Sequence, residues 1–210
     1  MSIDRKIVLY HAPNTRSSIA LTLLEEIGAP YELEAIDIKA GEQRQPAYLA
    51  VNPMGKVPAV KHGGALITEQ VAIFLYLADL FPEAGLAPMI GDPLRGPYLR
   101  WMIFYAACFE PAVGDRALKR EPGPPSMLGY GDFGSVIDTV TTQLAEGPYM
   151  LGRKFSAADV IWGSGLSWTT KFQLIPERPA IKAYIERFES RPSVARAKAI
   201  DAELAARHGA

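Results

Sequence analysis

Along this chain the spacing of apolar residues changes from strand-like to helical, and the change divides it. Ile7-Val8-Leu9-Tyr10 is a short unbroken apolar run, the pattern of a buried strand. The turn and capping types of residues 11–18 (HAPNTRSS) follow. Ile19, Leu23, Leu24 and Ile27 then recur at helical spacing, with Gly28 placed as a C-terminal cap. Tyr31, Leu33 and Ala35 alternate with Glu32 and Glu34, which is the period of a strand. This β-α-β opening predicts two parallel strands with a right-handed crossover. A polar stretch from Lys39 to Gln45 leads through the short apolar group Ala47-Tyr48-Leu49 to Asn52-Pro53-Met54-Gly55. Val57-Pro58-Ala59-Val60 and Ala65-Leu66-Ile67 flank Gly63-Gly64 and predict a hairpin. Thr68 stands as an N-cap before Val71, Phe74, Leu75 and Ala78 on one helical face. Ile73, Leu77 and Leu80 widen that face, so the helix is expected to lie between the sheet and a second domain.

From Phe81 to Pro93 the chain holds three prolines and two glycines, the composition of a linker. Beyond it, Tyr98 to Phe109, Val136 to Leu144, Ala157 to Trp168, Ile181 to Phe188 and Val194 to Ala206 all carry helical periods, broken by the loop at Glu121-Pro-Gly-Pro-Pro. The pattern predicts an α/β domain over residues 1–81, a linker over 82–93 and an all-helical domain over 94–210. Ser156-Ala-Ala-Asp159 reads as a capping box with Phe155 and Val160 as its hydrophobic staple, which gives Asp159 a structural role.

Composition narrows the function. The net charge of −1 offers no bulk attraction to nucleic acid or anionic membrane, and no stretch approaches the about 18 unbroken apolar residues of a membrane span. The opening MSIDRKIVLY is too quickly broken for a signal peptide, and the single cysteine fits a reducing, cytoplasmic setting. Cys108 is the one cysteine; it excludes intramolecular disulfides and reads as a small buried apolar residue. His11, His62 and His208 form no helical metal-ligand pair, so no metal site is expected. Signatures for nucleotide phosphates and for a serine-hydrolase elbow are missing from the sequence.

Several motifs in this order resemble the glutathione transferase superfamily over essentially the whole chain. They are Asn52-Pro53-Met54-Gly55-Lys56-Val57-Pro58, Thr68-Glu69 before an apolar helix, Gly152-Arg153-Lys154-Phe155-Ser156-Ala157-Ala158-Asp159, and Arg191-Pro192 after Ala183-Tyr184. The resemblance implies a thioredoxin-like βαβ-αββα domain that holds glutathione as co-substrate. It further implies an all-helical bundle that shapes the pocket of a small hydrophobic electrophile, and a homodimer pairing the first domain of one subunit with the second of the other.

Some site residues have a physical rationale of their own. A proline opening a strand cannot donate to the ladder and belongs at an edge or a bend. The resemblance implies a cis Val57–Pro58 bond, with the Val57 backbone pairing with the cysteinyl part of glutathione like an added strand. Glu69-Gln70 opens a helix, where free N–H groups and the positive dipole end favour a carboxylate. The backbone at Gln70 suits the α-carboxylate of the γ-glutamyl group and Glu69 its ammonium, although the family usually has serine where this chain has Gln70. Lys56 is placed to meet the glycyl carboxylate.

The family activates the glutathione sulfur with a Tyr, Ser or Cys near the end of the first strand. HAPNTRSS holds no cysteine, and Tyr10 does not match the tyrosine pattern. Alignment on Gly28-Ala29-Pro30-Tyr31 puts Thr15 and Asn14 at the catalytic position, Thr15 first, with Ser17 third; all three also suit helix capping. Phe104, Tyr105, Phe109, Trp162 and Trp168 are candidates for the hydrophobic pocket. The expected reaction is attack of the glutathione thiolate on an electrophilic carbon. The alternatives are glutathione-dependent reduction of a disulfide or peroxide, and a non-catalytic glutathione-binding or regulatory protein.

Overall fold

A computed structural model describes residues 5–207, so His208 lies outside the described residues. By contact the chain forms two units. One runs to Gly85 and takes up the chain again at Arg191; the other is Leu86–Ser190.

The first unit is built on a four-stranded sheet in the order β2-β1-β3-β4. β1 (Ile7–His11) lies parallel to β2 (Tyr31–Ala35), the outcome the β-α-β pattern demands, and antiparallel to β3 (Ala59–His62). β3 and β4 (Ala65–Ile67) form the hairpin over Gly63-Gly64. Ile7 and Leu9 are fully buried, as a central strand covered on its apolar face requires. Helix α1 (Arg16–Ile27) ends where Gly28 turns left-handed at φ 73° and its N–H returns to the Leu24 carbonyl. α2 (Pro46–Leu49) is a single turn, and α3 (Gln70–Leu80) packs on α1 through a face that buries Val71, Ile73, Phe74, Leu77 and Ala78. Two boundaries differ from the sequence reading. β3 opens at Ala59 rather than Val57, and the N-cap of α3 is Glu69 rather than Thr68.

The second unit contains α4 (Arg95–Phe104), a π turn over Tyr105–Phe109, α5 (Glu110–Ala117), α6 (Phe133–Glu146), α7 (Ala157–Lys171) and α8 (Pro179–Glu189). The helical run expected to stop at Phe109 thus continues to Ala117. Pro111 has no N–H to return to the carbonyl four residues back, and the turn before it widens to the i→i+5 bond from Glu110 N–H to Tyr105 C=O. α7 opens with the expected capping box. The Asp159 carboxylate accepts from the Ser156 N–H at 2.8 Å and the Ser156 hydroxyl at 3.1 Å.

The last helix, α9 (Pro192–Arg207), packs on α1 within the first unit. Arg191 donates to the Glu26 carboxylate at 2.9 Å, and Ser193 donates to the same carboxylate at 2.5 Å. No helix among the described residues is long and apolar enough to cross a membrane.

Candidate functional site

The N-terminus of α1 gathers all three hydroxyl and amide candidates. Thr15 is the N-cap: its Oγ1 accepts from the Ser17 N–H at 3.2 Å and donates to the Ala12 carbonyl at 2.8 Å. The residue is half-buried. Asn14 adopts φ 59°, a left-handed turn that Asn tolerates, and is exposed. Its backbone N–H donates to Asp201 Oδ2 of α9 at 3.2 Å. Ser17 is no cap. It is fully buried, accepts from the Ala12 N–H at 2.9 Å and lies 2.9 Å from His11 Nδ1 and 2.8 Å from Thr15 Oγ1.

His11 and Asp201 are the members of this cluster that the sequence reading did not anticipate. His11 Nε2 lies 2.8 Å from Asp201 Oδ1, and Ser18 Oγ donates to Asp201 Oδ2 at 2.5 Å. Burial opposes the charge on Asp201, but His11, the Ser18 hydroxyl and the Asn14 N–H outweigh it and hold the carboxyl below its ordinary range.

The register Tyr10↔Ala59 sets the end of β1 beside the segment Asn52–Pro58. That turn is pinned from within. Buried Asn52 donates through Nδ2 to the Lys56 carbonyl at 2.8 Å and accepts from the Met54 N–H at 3.1 Å. Tyr48 donates to the same Lys56 carbonyl at 2.6 Å; burial and the neighbouring Tyr10 push its phenol up to about 12. Gly55, at φ 60°, is obligatory, because a Cβ there would sit 2.7 Å from the Gln43 carbonyl. Lys56 is exposed, Val57 half-buried, Pro58 buried, and the Val57–Pro58 bond is cis. Val57 lies beyond the last paired residue of β3, so its backbone polar groups are outside the ladder.

Glu69 is exposed, with φ 64° and ψ 116°, and makes no side-chain cap bond. Its carbonyl accepts from the Ile73 N–H at 3.0 Å, the first intrahelical bond of α3, and the N–H groups before it have no partner within the helix. Gln70 Nε2 reaches the Arg16 carbonyl at 3.4 Å. The N-termini of α1 and α3 are thus neighbours, two positive dipole ends at one edge of the unit.

In the second unit the aromatic candidates separate. Tyr105, Phe109 and Trp162 are 1%, 1% and 0% exposed and pack on one another at centroid distances of 5.0–5.5 Å. They belong to the core of this unit rather than to the lining of a pocket, since the Trp162 N–H is spent on the Trp101 carbonyl at 3.0 Å. Phe104 is half-buried, and Trp168 is 50% exposed beside Phe172 at 4.8 Å. Cys108 is half-buried rather than buried, with its thiol pushed up by burial. Among the described residues no group of three or more His, Cys, Asp or Glu is placed to hold a metal ion.

Against known proteins, residues 5–79 match the glutathione S-transferase N-terminal domain and residues 132–198 the glutathione S-transferase C-terminal domain. The fold superposes on a glutathione transferase of Methylococcus capsulatus (strain Bath) with TM-score 0.80 and 31% identity, covering 94% of this chain and 99% of that one. A glutathione transferase homologue from Sulfitobacter, solved with bound glutathione, gives TM-score 0.74 and 26% identity over 93% of this chain and 98% of its own. The disulfide-bond oxidoreductase YfcG of Escherichia coli (strain K12) is 27% identical over 205 residues, 91% of this chain and 94% of that protein. With a thioredoxin-like sheet, a helical second unit and both domain models matched in order, the chain belongs to the glutathione transferase superfamily.

Proposed function

We propose that the protein binds glutathione in its first unit and transfers the thiolate to a small hydrophobic electrophile, with Thr15 as the donor to the sulfur. The observation that carries this reading is the half-buried Thr15 at the N-terminus of α1, which the Gln70 to Arg16 contact sets beside the N-terminus of α3. In this reading the first-turn N–H groups of α3 receive the γ-glutamyl carboxylate and Glu69 its ammonium. Val57 pairs with the cysteinyl backbone, and Lys56 faces the glycyl carboxylate. A free thiol of pKa about 8.5 is only slightly ionised at neutral pH, so a donor that favours the thiolate raises the concentration of nucleophile. Of the five aromatic candidates, Phe104 and Trp168 keep exposed surface for an apolar substrate. The assembly is read as a homodimer and the setting as cytoplasmic.

The likeness to a disulfide-bond oxidoreductase favours a second reading, glutathione-dependent disulfide reduction. One glutathione thiolate attacks the disulfide and expels a thiolate; a second glutathione then attacks the mixed disulfide and releases glutathione disulfide. Neither step needs a protein cysteine, and Cys108 lies in the second unit.

Turnover of glutathione with an aryl halide, and separately with a small disulfide, divides these readings; activity with neither removes both. Thr15→Val is expected to raise the pKa of the bound thiol and cut kcat while glutathione affinity holds, because the lost contact favours thiolate over thiol. Thr15→Ser keeps the donor and most of the activity. An ultraviolet titration with an unchanged thiol in Thr15→Val and a shifted one in Asn14→Ala would move the role to Asn14.

A further inference from the structure

Helix α9 is tied to α1 at both of its ends. Near the C-terminus of α1, Arg191 donates to Glu26 at 2.9 Å and Arg196 to Glu25 at 2.6 Å. Near the N-terminus of α1, one oxygen of Asp201 accepts twice: Oδ2 takes the Asn14 N–H at 3.2 Å and the Ser18 hydroxyl at 2.5 Å. The two helices therefore run antiparallel, with α9 as a splint along α1. Residues 14 and 18 flank Thr15, so a single carboxylate oxygen spans the residue that caps α1.

Thr15 owes its local shape to its own turn. Its Oγ1 bonds the Ser17 N–H and the Ala12 carbonyl, and its carbonyl accepts the Ser18 N–H at 3.0 Å. All of these partners lie within residues 12–18, so they shape the turn without placing it on the rest of the unit. The turn is entered through Asn14 at φ 59°, a left-handed conformation that Asn tolerates, and the N–H of that residue is the one Asp201 takes. Charge does not explain the arrangement. An ionised carboxylate at the positive end of α1 disfavours a thiolate there, so whatever Asp201 adds to thiol activation it adds by position.

We propose that Asp201 is a positioning residue: from α9 it clamps the Asn14–Ser18 turn and so sets where the Thr15 hydroxyl stands relative to the glutathione sulfur. The proposal rests on the reading of Thr15 as the thiolate's donor. A hydrogen bond weakens steeply as its distance and angle depart from the best geometry, so a turn released from its clamp loses hold of the thiolate first. In the same reading glutathione affinity resides in Lys56, Val57, Glu69 and the opening of α3, so affinity should survive. A residue that only tied α9 to α1 would set stability and leave the thiol alone.

The test uses the full chain and five variants: Asp201→Asn, Asp201→Ala, Ser18→Ala, Arg196→Ala and Thr15→Val. Each is titrated for bound thiolate by ultraviolet absorbance, with its melting temperature, glutathione Kd and kcat recorded. Asp201→Asn removes the charge and keeps an oxygen for Asn14 and Ser18, whereas Asp201→Ala removes both, so the difference between them isolates position from charge. The thiol pKa is expected to be about one higher in Asp201→Ala than in Asp201→Asn, tenfold less thiolate below that pKa, with kcat lower and Kd unchanged. Arg196→Ala cuts a tie at the other end of the two helices. It should lower the melting temperature and leave the thiol as in the wild type. Equal thiols in the two Asp201 variants overturn the proposal. So does a shift in Arg196→Ala as large as that in Asp201→Ala, since lost stability alone would then move the thiol. Should Asp201→Ala not fold, Ser18→Ala decides: it frees the carboxylate from one of its two anchors at unchanged charge, and an unshifted thiol overturns the proposal. Thr15→Val separates the two readings. If it leaves the thiol unchanged, the Thr15 assignment falls and the proposal with it. If it shifts the thiol while the two Asp201 variants agree, the proposal falls and Thr15 stands.

Discussion

At φ 64° and ψ 116°, Glu69 occupies a backbone region that costs a non-glycine residue about 1–3 kcal/mol. The conformation turns the chain sharply between β4 and α3 without any help from the Glu69 side chain, which is exposed and caps nothing. Removing that side chain should therefore leave stability nearly untouched. Glu69→Ala is expected to weaken glutathione affinity by about 1.5–3 kcal/mol, the range for a hydrogen bond to a charged group. Unchanged affinity by calorimetry would take Glu69 out of the proposed site. Local motifs of this kind were legible in the sequence, because the residues that make the turn at Asn52–Pro58 and the opening of α3 are contiguous. The environment of Ser17 was not. Its spacing fits a cap, yet its buried hydroxyl lies against the His11 ring at 2.9 Å, a partner that cap spacing does not mark.

Helix α7 shows how an element can be readable in outline and hidden in detail. Its capping box was visible as S-x-x-D, but the weight on Asp159 comes from elsewhere in the unit. The carboxylate also accepts from the Met150 N–H at 2.7 Å and the Tyr184 hydroxyl at 2.9 Å, all in a fully buried place. Asp159→Ala should thus cost more than an exposed cap, about 2–4 kcal/mol, since several buried donors lose their partner at once. Burial dominates the four donors and raises the Asp159 carboxyl from 3.8 to about 6. A folded pKa above the unfolded one means that the native state binds the extra proton. The Asp159 contribution is then greatest below about pH 3.8 and is eroded, by about 3 kcal/mol, as pH rises through 6. Denaturant melts of both proteins at pH 4.5 and 7.5 should show their stability gap narrowing at the higher pH; a gap that widens would refute this account. The same helix explains why the aromatic candidates could not be sorted in advance. Gly163 and Gly165 leave room for the Phe188 ring and the Tyr105 side chain, which would lie 2.3 and 2.5 Å from an added Cβ. Helical spacing marks Tyr105, Phe109 and Trp162 as apolar without saying that they pack on one another in the core, with Gly165 making room for Tyr105.

On the scale of the whole molecule, order along the chain and order in space part company at Arg191. The helical period of α9 matches that of the helices before it, so pattern alone groups them; contact groups α9 with β1 and α1, through Glu26 and Asp201. Ion pairs between residues this far apart leave no mark in any local window, which is why they were not foreseen. Assembly is the other property of the whole that the pattern suggests without locating. Leu99 and Ile103 stand one helical turn apart on α4, 36% and 53% exposed, while Tyr98, Trp101 and Met102 of the same helix are buried. In the homodimer reading, this pair of exposed apolar side chains is a surface for a second copy of the chain to bury. The homodimer reading therefore predicts twice the chain mass by light scattering at micromolar concentration. It also predicts that Leu99→Glu with Ile103→Glu shifts the population toward the single chain while the far-ultraviolet spectrum is kept. These charges meet open solvent in the monomer and an apolar partner in the dimer, so they penalise association alone. A wild-type protein that scatters as a monomer across that range overturns the homodimer. A double variant that stays dimeric places the interface away from this face of α4.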